Sequence, residues 1–313
     1  MKQNTTRRNF IKQSGLLTGS LAIASSPLLS ACAKTMKATD FKISLAQWSL
    51  HQTLFAGEMD NLDFAKVAKN DFGISAVEYV SQFFKDKAKD KAYINQMKQV
   101  ADDNGVKSLL IMIDGEGELG DNDLAKRNQA VENHYKWIEA AQQLGCHSIR
   151  VNAAGDGTAE EVQQNAIEGL RSLSTFAKDY DINVLVENHG GYSSNGKWLN
   201  QVISTVDMNN CGTLPDFGNF CITRDKNWNC LEDYDRYQGM KDIMPFAKGV
   251  SAKSHDFDAD GNEIHSDFAK MLKIVKSAGF KGYIGVEYEG EKLSEYDGIK
   301  ATKALLDKTI ASL

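Results

Sequence analysis

The chain has 313 residues, 36 basic and 42 acidic side chains, a formal net charge of −6 and 42% hydrophobic residues. That is enough apolar chain for one large core. The acidic balance argues against nucleic acid as a partner, and with it against a nuclease.

The first 32 residues read as an export signal rather than as part of the fold. "TTRRNFIKQS" carries Arg7 and Arg8 followed by Phe10 and Ile11, the twin-arginine pattern, and the apolar stretch Leu16 to Leu29 is too short and too rich in Ser and Gly to span a bilayer securely. "LSAC" then ends at Cys32, the expected lipidation site of a bacterial lipoprotein. Export by this route is expected to leave the body at a membrane facing the periplasm, held by acyl chains alone. The segment contains four basic residues and no acids, so 32 basic side chains face 42 acidic ones in the remainder. Residues 33–40 read as a linker and 41–313 as one folded domain.

From residue 41 a short β-rich run, a loop and an amphipathic helix recur eight times. The runs are 42–48, 75–80, 106–113, 147–152, 182–187, 211–216, 249–255 and 283–287, and helical patterns between them stop at Gly105, Gly145 and Gly279. Alternation of strand and helix forces parallel pairing, and eight units in roughly 250 residues predict a single closed (β/α)8 barrel of the α/β class. An open doubly wound sheet would need a glycine fingerprint after the first strand, and "QWSLHQ" has none. Barrel enzymes carry their chemistry at the C-terminal strand ends.

Runs five to eight end in Glu187, Asp216, His255 and Glu287. A charge closing an apolar strand is costly unless neutralised, and three carboxylates with one imidazole around one point call for a divalent cation. Hard oxygen ligands with one nitrogen suit manganese or magnesium, with cobalt, iron and zinc open. Lys253 shares the strand parity of His255 and points inward as a substrate contact, His189 on a glycine-rich loop and Trp48 at the end of strand one are further candidates, and Glu78 and His147 read as structural.

With "ENHGG" and "GYIGVEYEG" around the two glutamates, the order Glu, Asp, His, Glu resembles the sugar phosphate isomerase/epimerase family of xylose-isomerase-like TIM barrels, over about residues 41–311. The resemblance implies one divalent ion, often manganese, held by Glu187, Asp216, His255 and Glu287. It also implies catalysis by proton abstraction next to a sugar carbonyl through a metal-stabilised enediolate, with Glu187 and Glu287 on opposite faces of the sugar. The chain departs from the epimerase pattern at Asn219, where that branch commonly has a histidine; an amide can bind a sugar oxygen but cannot titrate near neutral pH. A keto-sugar lyase or hydratase on the same site is the second expectation, and a sugar-binding lipoprotein without turnover a third. The expected partner is a non-phosphorylated sugar or keto-sugar; the sugar itself and a monomeric, dimeric or tetrameric state stay open.

Two other features remain. Of the cysteines after the signal, Cys146, Cys211, Cys221 and Cys230, the last two are near enough in sequence to pair, and both states are open. Asp256, Asp258, Asp260, Gly261 and Asp267 match the spacing of a calcium loop, but a strand precedes it, so the run reads as the loop after strand seven, with Ser266 as cap of the next helix and Asp256 as an acceptor that could orient His255.

Overall fold

A computed structural model describes residues 40–313; the signal, Cys32 and linker residues 33–39 lie outside the described residues. Among the described residues ten strands form: β1 (Phe41–Ala46), β2 (Ala76–Val80), β3 (Lys107–Met112), β4 (Ser148–Val151), β5 (Asn183–Glu187), β6 (Cys211–Leu214), β7 (Cys221–Arg224), β8 (Cys230–Asp233), β9 (Val250–Ser254) and β10 (Gly282–Tyr288). Eight of them pair in parallel in the order β6-β5-β4-β3-β2-β1-β10-β9. Parallel bridges Thr213↔Ala247 and Asp216↔Ser251 join the two ends, so the sheet closes on itself. The eight-unit barrel read from periodicity is therefore the observed architecture.

The helices obey local rules. Thr158 and Glu161 form a capping box at the start of helix Ala159–Lys178. Helix Leu124–Leu144 starts on Asp123, whose carboxylate accepts from Ala125 and Lys126 N–H, and stops at Gly145 in the left-handed region (φ 79°). Helix Phe268–Ser277 is capped by Asp267, which accepts from Lys270 N–H, whereas Ser266 donates to Phe217 O; the cap is one residue later than the sequence suggested.

Two apolar regions hold the barrel. The larger lies between sheet and helices, and a small one of Ala46, Val80, Leu110, Met112, Leu185 and Leu214 packs against Trp48 and Phe83. Much of the rest of the buried strand surface is polar, with Ser44, Glu78, Arg150, Glu187, Ser251, Lys253 and Glu287 all buried. Glu78 is accommodated by a missing side chain: a Cβ on Gly285 would lie 2.9 Å from either of its carboxylate oxygens. Its Oε1 accepts from the Ser44 hydroxyl at 2.6 Å.

Burial pushes the Glu78 carboxyl up to about 7, against the Ser44 hydrogen bond and with the help of Glu287 and Glu187. A carboxyl raised in the fold destabilises it once the unfolded chain ionises, so the cost grows as pH rises from the ordinary carboxylate range and is complete above about 7. Glu78→Gln should raise stability by up to roughly 3 kcal/mol at pH 8 and leave it nearly unchanged at pH 4. Denaturant melts at the two pH values check this; an equal effect at both would contradict it.

Candidate active site

The strand ends named from the sequence meet, with one exception. Glu187 closes β5, Glu287 lies on β10, and Asp216 stands two residues beyond the end of β6, where its backbone bridges Ser251. One oxygen from each of these three buried carboxylates lies within 4.8 Å of the others. His255 is not among them. Strand register explains why: Glu287 pairs with Lys253 on β9, and His255 lies two residues further along, about 7 Å up the strand direction. Its imidazole is 39% exposed and its Nε2 is 4.0 Å from Glu289 Oε2. The pairing of the acid beside it is also different from that expected, since Asp256 Oδ2 lies 2.8 Å from Lys292 Nζ.

Lys253 occupies the register position opposite Glu287. Its Nζ is 3.4 Å from Glu287 Oε1, 3.0 Å from Glu289 Oε1 and 3.5 Å from Asn219 Oδ1. A second cation was not singled out in the sequence: Arg150, buried on β4, has Nε 2.7 Å from Glu187 Oε2 and an Nη1 that donates to Asp114 Oδ1 at 2.9 Å. The arginine inside "HSIRVN" is, like the strand-end acids, a charge set in an apolar run, which is its signal in the sequence.

Asn188, inside "ENHGG", fixes the geometry of the loop after β6. Its amide donates to Asp216 O and Asn219 O, both at 3.0 Å, and its carbonyl accepts from Asp216 N–H at 2.8 Å. Asp216 Oδ1 in turn accepts from Gly218 and Asn219 N–H, each at 2.8 Å. Asn219 then donates to Glu187 Oε1 at 3.2 Å. On the other side the Ser251 hydroxyl donates to Glu287 Oε2 at 2.6 Å.

The charges shift one another in opposite directions. Burial raises the Glu187 carboxyl to about 7 despite Arg150, and raises Asp216 to about 8 despite Lys253. For Lys253 burial works the other way, but the surrounding glutamates and Asp216 outweigh it and hold the ammonium charged. Asp114, although desolvated, is drawn down to about 2 mainly by Arg150. His189 is exposed at the cavity; desolvation of its inner side, and then Arg150 and Lys253, shift its ring downward, so it is neutral at pH 7.

Asp216 Oδ2 is buried and accepts no hydrogen bond, and three converging carboxylates supply hard oxygen donors. That donor set suits a divalent cation held by Glu187, Asp216 and Glu287, without the imidazole expected from sequence.

Above the carboxylates a cavity of about 710 Å³ opens, within the range of small-molecule sites. Glu287, Glu289, Lys253, Arg150 and Asp114 line its polar side, and the expected contacts Trp48, His189 and Asn219 line it too. Trp48 sits on the 3-10 turn Gln47–Leu50 after β1 rather than on the strand, stacked on His51 at 4.8 Å. Glu187 is not a lining residue and stands behind Arg150 and Asn219, which are. The hairpin β7–β8 forms another part of the wall; Cys221 and Cys230 are joined in a disulfide, with Cα atoms 5.8 Å apart. The acidic run after β9 folds as a turn in which Asp258 Oδ1 accepts from Asp260 and Asn262 N–H, and Asp267 is committed to its helix cap. His147 contacts Ser148 Oγ at 2.6 Å, a structural position as expected.

A family profile described as xylose isomerase-like TIM barrel matches residues 64–309. The chain belongs to this family. Among solved structures, the IOLI protein with a bound zinc atom shares 15% identity at a TM-score of 0.67, covering 87% of this chain and 98% of the other. A sugar phosphate isomerase/epimerase from Parabacteroides distasonis shares 17% at 0.63 over 90% and 98%, and a D-psicose 3-epimerase solved in the presence of D-fructose shares 12% at 0.62 over 86% and 99%. At these identities the likeness is one of fold. A C-glycoside deglycosidase alpha subunit from Arthrobacter globiformis is 37% identical over 65 residues, a match spanning 20% of this chain and 18% of the relative.

Strand register separates Lys253 from His255 in a way that metal binding can read. Removing the ammonium with Lys253→Met should tighten binding of Mn2+ or Mg2+ by roughly tenfold or more, because a like charge beside the carboxylates is lost. His255→Ala should leave it within about twofold. Calorimetric titration of metal-stripped protein reads both; a large loss in the histidine variant would restore it as a ligand.

Proposed function

We propose that the chain is a metal-dependent sugar isomerase or epimerase that removes a proton next to the carbonyl of a non-phosphorylated sugar. The observation that carries this reading is Glu287, which belongs to the carboxylate triad and also lines the cavity. Its oxygens are oriented by Ser251 on one side and Lys253 on the other. A carboxylate so held is a general base within reach of a bound carbon acid.

From a divalent ion held by Glu187, Asp216 and Glu287 the site would gain Lewis-acid polarisation of the sugar's oxygens, and the reading favours manganese. The remaining work falls to side chains. Glu287 accepts the carbon-bound proton, while the positive Lys253 and Arg150 lower the cost of negative charge developing on the substrate oxygen. His189, neutral at pH 7, can donate to or accept from a sugar hydroxyl, and the Asn219 amide can do the same. In an epimerase the proton returns to the opposite face from Glu187. The cavity's buried cations are already paired with carboxylates, which supports a neutral polyol rather than a phosphate ester.

A second reading, lyase or hydratase action on a keto-sugar, draws on a separate observation. Glu187 is held by Arg150 and Asn219 behind the cavity wall, and elimination of a β-substituent needs one carbon base where inversion needs two. The short match to a deglycosidase subunit points the same way. In either case the sequence of residues 1–32 supports export and a lipid anchor at Cys32, and among the described residues no helix is long and apolar enough to cross a membrane.

Incubation of the metal-loaded protein with a panel of ketoses and 3-keto-glycosides in heavy water should give deuterium at a carbon next to the carbonyl. Glu287→Gln should slow exchange by about a hundredfold to ten-thousandfold. At metal concentrations that saturate the Glu187→Gln variant, an epimerase stops forming epimer, whereas a lyase keeps its ultraviolet-absorbing product. No exchange and no product with any sugar would overturn the catalytic reading in favour of a binding protein.

A further inference from the structure

The hairpin after β6 has no counterpart among the eight strand-helix units, and its chemistry is concentrated at one residue. Strands β7 and β8 pair antiparallel; Tyr234 N–H donates to Phe220 O at 2.9 Å at their base, and the Cys221–Cys230 disulfide ties the start of β7 to the start of β8, next to the tip. The tip is wound around Asp225, whose carboxylate accepts from Asn227 and Asn229 N–H, while its carbonyl accepts from Trp228 N–H at 3.0 Å. Arg224 Nη1 donates to Trp228 O at 3.0 Å. These bonds hold Trp228 at φ 66°, a backbone region that bulky side chains seldom adopt.

Trp228 is 79% exposed, yet it lines the same cavity as Glu287 and Lys253. Leaving an indole in water forfeits the stabilisation its burial would bring, and left-handed backbone is strained at a residue other than glycine. Two unfavourable features at one residue of a cross-linked hairpin indicate that the indole serves the cavity rather than the core. The carboxylates Asp114, Glu287 and Glu289 and the buried cations Arg150 and Lys253 lie on or near β3, β4, β9 and β10, whereas the hairpin contributes Ile222 and Trp228 together with Arg224, whose guanidinium is tied to the Trp228 carbonyl. A volume of about 710 Å³ exceeds what one sugar ring needs at the ionised side.

We infer that Trp228 forms a stacking subsite for the leaving portion of a glycoside, so that the substrate is a sugar carrying a flat or ring-shaped aglycone rather than a free monosaccharide. The inference rests on the reading of the cavity as a sugar site and deepens it toward the glycoside alternative. Indole faces pack well against aromatic rings and against the C–H faces of sugars, and the exposed ring loses water when covered. The disulfide keeps this wall in place in an oxidising compartment.

Paired methyl and 2-naphthyl glycosides of glucose, galactose and mannose, titrated against the full domain by calorimetry, test the subsite. The intact protein should bind the naphthyl member of at least one pair tenfold or more above its methyl partner. Trp228→Ala should bring the two to within about twofold of each other, and Trp228→Phe should keep part of the preference. Because the side chain is exposed, an unchanged melting curve accompanies the loss. A naphthyl preference that survives in Trp228→Ala, or loss of methyl and naphthyl binding to the same extent, would overturn the subsite while leaving the sugar site standing. Failure of the intact protein to bind any member of the three pairs would overturn both.

Discussion

Three carboxylates without water set the terms for the rest of this molecule. Glu187, Asp216 and Glu287 are each at most 3% exposed and converge from β5, the loop after β6, and β10. Taking a carboxylate out of water costs several kcal/mol even after relaxation, so positive charge must be near. Arg150 on β4 and Lys253 on β9 supply it on either side of the triad. Small residues on the neighbouring strands make room, as Gly285 does for the Glu78 carboxyl and Ser251 for Glu287. Burial outweighs the neighbouring cations, and the other carboxylates add to it, so Glu187 and Asp216 are raised rather than lowered.

The barrel turns this electrostatic problem into a functional asset. Parallel strands bring their C-terminal ends to one rim, so groups from distant parts of the chain share one cavity. Strand ends give the cavity a charged, hydrogen-bonding side, while Ile222 and Trp228 of the hairpin and Trp48 bring apolar surface to the same opening. Asn188 is the quiet organiser: three hydrogen bonds from one amide tie β5 to the loop after β6 and so set Asp216 and Asn219 together.

The fold was legible because parallel barrel strands repeat one pattern, and each of the eight runs lies within two residues of an observed strand. Glu187, Asp216 and Glu287 were legible for the same reason, as charges that end apolar runs. His255 was assigned because run seven ends in it and because the order Glu, Asp, His, Glu carries the resemblance; the register Glu287↔Lys253, which sets Lys253 beside the triad, depends on pairing across strands and is not written in either strand alone. Arg150 was within reach of the sequence but sits mid-strand, where a search confined to strand ends does not look. The hairpin was hidden differently: its strands are four residues each, largely polar and exposed, and only the Cys221 and Cys230 spacing hinted at a cross-link.

The most direct test of the central claim is the anomalous difference map of crystals grown with Mn2+. The account predicts one peak bonded to oxygens of Glu187, Asp216 and Glu287, with the His255 ring outside its coordination sphere. A peak ligated by His255, or a triad bridged by the Lys253 ammonium with no ion bound at saturating metal, would contradict it.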